Sequence, residues 1–88
     1  MMKIETAKGL EKQVKEAART LEATERLIRD LQIQVSTVQD DDTLKRLEMR
    51  IAKLNYRLNQ EKEALMEAER RLKQAKLDFQ RFGEKNTL

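Results

Sequence analysis

The chain has 88 residues, a formal net charge of +3 at pH 7 and 40% charged residues, with one Tyr, two Phe and no Trp. This composition excludes a conventional globular core, because too few bulky apolar side chains are present to fill one. The sequence has no Pro and two Gly, and it is rich in Glu, Lys, Arg, Leu, Ala and Gln. Such a composition is typical of long helices or a coiled coil.

The residue types needed for most catalytic and metal sites are missing. Cys and His are both absent, which removes thiol nucleophiles, imidazole bases and the commonest zinc ligands. The sequence contains no glycine-rich phosphate loop, and the acidic run at residues 40–42 lacks the alternating ligands of a calcium loop. We therefore expect neither enzymatic activity nor a cofactor.

No stretch of the sequence approaches the ~18 apolar residues that a membrane-spanning helix requires. The first residues also lack the apolar run of a signal peptide. A cytoplasmic location is the default expectation, and export without a cleaved signal would leave the same sequence.

The first half of the chain carries apolar or small residues in an unbroken alternation of three- and four-residue steps, which defines the a and d positions of a heptad repeat. These positions are Ala7, Leu10, Val14, Ala17, Leu21, Thr24, Ile28, Leu31, Val35 and Val38. They predict a helix over about residues 6–38.

The second half repeats the pattern with one charged interruption. Its a and d positions are Leu44, Leu47, Ile51, Leu54, Leu58, Glu61, Leu65, Ala68, Leu72, Ala75, Phe79 and Phe82. They predict a helix over about residues 43–82, followed by Gly83 as a helix-terminating residue and a tail at 83–88.

Residues 39–43 separate the two heptad patterns, and they belong to a β-branched and Asp-rich stretch, residues 35–43, that is poor in helix formers. On one continuous helix the two apolar stripes would lie roughly 120° apart, so a single partner could not follow both. The sequence therefore predicts an all-α, antiparallel two-helix hairpin in a single domain, 1–88, with its turn at about 39–42. Asp and Thr in this segment are suited to cap the second helix.

Folding the chain about residue 41 places each a residue of one helix against a d residue of the other. In this register Glu11 can reach Lys76, and Glu25 can reach Lys62. Glu61 lies opposite Leu21 and one layer from Thr24. It is interpreted either as a polar residue that fixes the register, as a contact for a cationic partner, or as a side chain that extends to water at the edge of the contact.

A hairpin with so narrow a core favours further burial by a second copy or another protein, as in a four-helix bundle. The candidate association surface combines apolar residues outside the heptad core with the two Phe beyond the end of the first helix. Its members are Met49, Ala52, Tyr56, Met66, Leu77, Phe79 and Phe82. The first three form its most coherent group, and scattered surface apolar residues are the alternative interpretation.

Positive charge is concentrated in the second half, where residues 44–88 have twelve Lys or Arg against seven Asp or Glu. A basic patch near the turn comprises Lys45, Arg46, Arg50, Lys53 and Arg57. It could bind phosphate groups, but acidic residues are interleaved with it and no aromatic platform for bases is present. A solvated helix face is the plainer interpretation.

The sequence thus predicts a non-enzymatic protein–protein interaction module, acting as an assembly factor, adaptor, chaperone or inhibitor through helix packing. The alternative is a nucleic-acid-associated protein that uses the basic face of the second helix.

Overall fold

The computed structural model describes residues 7–86, with side chains described for residues 7–80. Two helices, α1 (Ala7–Thr37) and α2 (Asp41–Asn86), pack against each other, and the described residues contain no strand. The fold is an all-α, antiparallel two-helix hairpin, which confirms the fold predicted from the heptad phases. It is a thin object with principal extents of 72 × 24 × 14 Å.

The contact between the helices is the apolar seam, which we define as the a and d positions of both heptad patterns from Ala7 to Ala75. Every seam position is buried or half-buried. Among residues 7–80 outside the seam, Ala18 and Glu25 are half-buried and all the others are exposed. The most buried apolar side chains are Leu10, Ile28, Leu31 and Leu47. The heptad pattern therefore predicted the core of this hairpin residue by residue.

The end of α1 is made without glycine. The Thr37 hydroxyl donates a hydrogen bond to the Gln34 carbonyl at 2.9 Å, and the Ser36 hydroxyl donates to the Ile33 carbonyl at 2.5 Å. The backbone N–H of Val38 donates to the Val35 carbonyl over 3.4 Å. Hydroxyl side chains and one backbone bond of three-residue spacing thus add hydrogen bonds to the carbonyls near the end of α1.

Asp40 is the N-cap of α2. Its carboxylate oxygen Oδ2 accepts hydrogen bonds from the Thr43 hydroxyl at 2.7 Å and from the Thr43 backbone N–H at 3.0 Å. The Asp40 carbonyl accepts the first helical bond, from the Leu44 N–H at 3.0 Å. The predicted capping by Asp and Thr is confirmed, and the turn is the three-residue segment Val38–Asp40, slightly earlier than the predicted 39–42.

The far end of α2 differs from the prediction. The helix continues through Gly83 to Asn86, so Gly83 does not terminate it and residues 83–86 of the predicted tail are helical. Glycine ends a helix when it adopts a left-handed conformation, and no glycine among the described residues has a positive φ. Thr6, whose residue type suits an N-cap for the first helix, lies outside the described residues.

Charged pairs across the helices support the predicted register in part. Lys76 Nζ lies 3.7 Å from Glu11 Oε1, as the fold about residue 41 predicts. Glu25, in contrast, pairs with Arg29 of its own helix at 3.6 Å rather than with Lys62. A partner one turn away on the same helix needs no specific interhelical spacing, which favours the local pair.

We predict that Asp40→Ala lowers the melting temperature of the hairpin more than Asp42→Ala does. Both substitutions remove a negative charge near the start of α2, but only the first removes the cap. The measurement is thermal unfolding followed by circular dichroism. Equal effects of the two substitutions would contradict the capping role.

This effect should depend on pH. The hydrogen bonds from the Thr43 hydroxyl and backbone N–H hold the pKa of the Asp40 carboxyl below its ordinary value. A carboxyl with a depressed folded-state pKa contributes stability above its unfolded pKa, and this contribution is lost as the pH falls through the folded value. The difference in melting temperature between the wild type and Asp40→Ala should therefore be constant near neutral pH and shrink below about pH 4.

Candidate functional site

The outer stripe, Met49–Ala52–Tyr56, lies on the side of α2 that faces away from α1. Met49 is 62% exposed and Tyr56 is 68% exposed, and Ala52 between them is also exposed. The three residues follow the three- and four-residue spacing of one helix face. The structure thus leaves a continuous strip of apolar surface uncovered.

The other members of the predicted association surface are spread further along α2. Met66 is 63% exposed on the same face as the outer stripe, and Leu77 is 40% exposed. Phe79 occupies a heptad a position past the layer of Ala75 and is 76% exposed. The side chain of Phe82 lies outside the described residues. Met66, Leu77 and Phe79 do not form one patch with the outer stripe.

Glu61, the charged residue of the seam, is held by a polar contact between the helices. Its Oε1 accepts hydrogen bonds from the Thr24 hydroxyl of α1 at 2.9 Å and from Arg57 Nε of α2 at 2.8 Å. Its side chain is only 13% exposed, and Thr24 is 1% exposed. Glu61 therefore does not simply extend to water, and it joins the two helices near the middle of the seam.

The polar layer, which we define as Thr24, Arg57 and Glu61, is incompletely satisfied. The Thr24 hydroxyl also lies 3.2 Å from the Thr20 carbonyl, so two acceptors share its single proton. The second carboxylate oxygen of Glu61, Oε2, is buried and has no hydrogen-bond partner among the described residues. Oε1 therefore carries both of the hydrogen bonds that the described residues donate to this carboxylate.

The basic patch divides between two faces of α2. Arg46, Arg50, Lys53 and Arg57 follow each other at four-, three- and four-residue steps and form a cation row beside the seam. Lys45 lies on the face of the outer stripe. Arg57 is paired with Glu61, but no ion pair among residues 7–80 involves Arg46, Arg50 or Lys53.

A shallow groove of about 510 Å³ opens between the helices beside the cation row. From α1 it is lined by Leu27, Asp30, Leu31 and Gln34. From α2 it is lined by Arg50, Lys53, Leu54 and Arg57. The groove therefore has an apolar floor, a cationic wall on α2 and a weakly acidic wall on α1.

The sequence pattern predicted the cations of this groove but did not place Asp30 and Gln34 opposite them. Leu27, Asp30 and Gln34 lie at g, c and g positions of α1. The signal was available in the register, because c and g positions of the two helices lie on the same side of an antiparallel seam. The predicted register already placed Thr24 one layer from Glu61, and the structure adds the hydrogen bond between them.

Within the described part of the chain, no group of three or more acidic side chains could hold a metal ion. The helices that the structure describes are also not apolar enough over a sufficient length to cross a membrane. The outer stripe and the groove are the two surfaces that we consider as candidates for contact with other molecules.

We predict that Thr24→Val destabilises the hairpin by ~1–3 kcal/mol, because it removes a donor to a buried carboxylate and keeps the side-chain shape. Glu61→Leu in the Thr24→Val background should recover most of that loss, because the unpaired carboxylate is then gone. The measurement is the free energy of unfolding in urea for the two single variants and the double variant.

Strictly additive effects of the two substitutions would contradict an energetic link between Thr24 and Glu61. The control is Lys45→Leu, at an exposed position on the other face of α2. It adds a leucine to the same helix away from the seam. It should change the free energy of unfolding little.

No protein-family model, curated protein or solved structure matches this chain.

Proposed function

We propose that this protein is a non-enzymatic protein–protein interaction module that works by helix packing, as an assembly factor, adaptor, chaperone or inhibitor. The observation that carries the proposal is the outer stripe, whose large side chains are about two-thirds exposed on a rigid helix. Exposed apolar side chains at helical spacing fit the packing of another helix.

The narrowness of the seam supports the same proposal. Only one stripe per helix is buried, so the hairpin hides little apolar surface for its length. Chains with small cores are commonly stabilised further by oligomerisation or by a partner. Covering the outer stripe would add a second layer of helix packing without disturbing the first.

A second copy of the chain is the first occupant to test. The order of side-chain sizes in the outer stripe is large, small, large, which is self-complementary when two α2 helices cross antiparallel at Ala52. In that arrangement Met49 of each copy meets Tyr56 of the other. The result would be a four-helix bundle with α2 at its centre.

We predict that Met49→Glu/Tyr56→Glu abolishes this association and leaves the helical circular dichroism unchanged, because these positions make no contribution to the seam. Sedimentation equilibrium from micromolar to millimolar protein measures the self-association. Ile33→Glu is the matched control, since Ile33 is a similarly exposed apolar residue, 65% exposed, on α1. It should leave the association constant unchanged.

If the wild type is monomeric over the whole concentration range, the partner is another protein. The double variant should then lose the host proteins that the wild type and Ile33→Glu both retain on an affinity column. A monomeric wild type whose retained proteins are the same as those of the double variant would show that the outer stripe is not an interaction surface.

A further inference from the structure

The groove between α1 and α2 is a second surface. Lys53 of α2 lines its wall and separates it from the outer stripe. Leu31 and Leu54 from the seam form its floor, and Leu27 at its edge is 50% exposed. The cation row borders it on the α2 side, with Arg50 and Lys53 unpaired among the described residues. Unlike the outer stripe, this surface therefore combines apolar contact with uncompensated positive charge.

We infer that the groove binds an acidic amphipathic helix of another protein. The apolar face of that helix would cover Leu27 and the edges of Leu31 and Leu54. An edge carrying Glu or Asp at three- and four-residue steps would run along the cation row, which has the same spacing. The bound helix would complete a three-helix bundle.

Arg57 is already oriented for this role. Its Nε donates to Glu61 Oε1 at 2.8 Å, which anchors the guanidinium at the groove and leaves its other N–H groups as donors. Arg50 and Lys53 have no such anchor and would supply most of the uncompensated charge. The groove thus combines one fixed and two adjustable cationic contacts.

Neither outward face of a second copy is suited to this groove. The outward face of α1 carries six exposed cations and one acid, namely Lys8, Lys12, Lys15, Arg19, Arg26, Arg29 and Glu22. The cation row would repel that face. The outward face of α2 is also basic on balance, with Lys45, Arg70 and Lys73 against Glu63. The charges therefore favour a foreign, acidic helix.

Asp30 distinguishes a helix from a nucleic acid as the occupant. Its carboxylate lines the wall opposite the cation row and would repel a phosphate backbone that entered the groove. A helix can place Lys or an amide on its second edge, opposite Asp30. The expected ligand is therefore acidic along one edge only, which also gives it a preferred orientation.

The test uses synthetic probes of about three heptads, or ~32 Å of helix. The acid-edge probe has Leu at its a and d positions, Glu along one edge and Gln along the other, and the base-edge probe has Lys in place of the Glu. Fluorescence anisotropy with the full chain should show that the acid-edge probe binds at least about 10-fold more tightly than the base-edge probe.

Arg50→Glu/Lys53→Glu should weaken binding of the acid-edge probe by at least about 10-fold. Lys45→Glu/Lys73→Glu makes the same change in net charge outside the groove and should alter binding by less than about twofold. Leu27→Gln, which leaves the charge unchanged, should also weaken binding. Circular dichroism of each variant checks that the helices are retained.

Equal weakening by the two charge-reversal variants would overturn the inference, because it would indicate attraction by net charge alone. Failure of the acid-edge probe to bind would overturn it as well. The inference would also be overturned if a duplex DNA of about 20 base pairs bound more tightly than the acid-edge probe, and if only Arg50→Glu/Lys53→Glu removed that binding. Met49→Glu/Tyr56→Glu should leave probe binding intact, so failure of the groove and failure of the outer stripe are separate results.

Discussion

The packing of two narrow stripes, one from each helix, is the interaction on which the rest of this structure depends. Neither stripe can face water on a stable helix, and with only two helices each must cover the other. This requirement brings the polar layer, the groove and the cross-helix pair of Glu11 with Lys76 into position. It also leaves the opposite side of α2 uncovered, which is where the outer stripe lies.

The polar layer gives this seam a property that an all-leucine seam would lack. Apolar layers of similar size tolerate a slip by one heptad, because leucine meets leucine in either register. In the observed register Thr24 lies in the layer next to Glu61, and its hydroxyl donates a hydrogen bond to the carboxylate. A slipped register would bury the Glu61 carboxylate against apolar side chains, which is strongly unfavourable. We interpret the unpaired Oε2 as a tolerated defect of this arrangement.

The fold could be read from the sequence because its determinants are periodic and local. The heptad phases marked each seam position, and the mismatch in phase between Val38 and Leu44 excluded one continuous helix. The end of α2 could not be read in this way, because a single residue such as Gly83 permits a helix end without requiring one. The groove was hidden for a different reason. It consists of residues from both helices, and Asp30 becomes part of a groove wall only when Arg50 and Lys53 lie across from it.

The two proposed surfaces differ in the contacts that they would make with other chains. The outer stripe offers apolar packing to a helix of matching shape, and such contacts depend little on salt. The groove adds charge and should depend strongly on ionic strength. Both surfaces, in this structure, belong to a hairpin in which α1 and α2 of one chain form the seam.

Pulsed electron–electron double resonance tests this arrangement most directly, with spin labels at Lys12 and Gln74 and with labelled protein diluted in unlabelled protein. The hairpin predicts a label separation below about 35 Å, given interaxial distances of ~8–10 Å. A separation near ~93 Å, the length of one continuous helix between these positions at ~1.5 Å per residue, would contradict it.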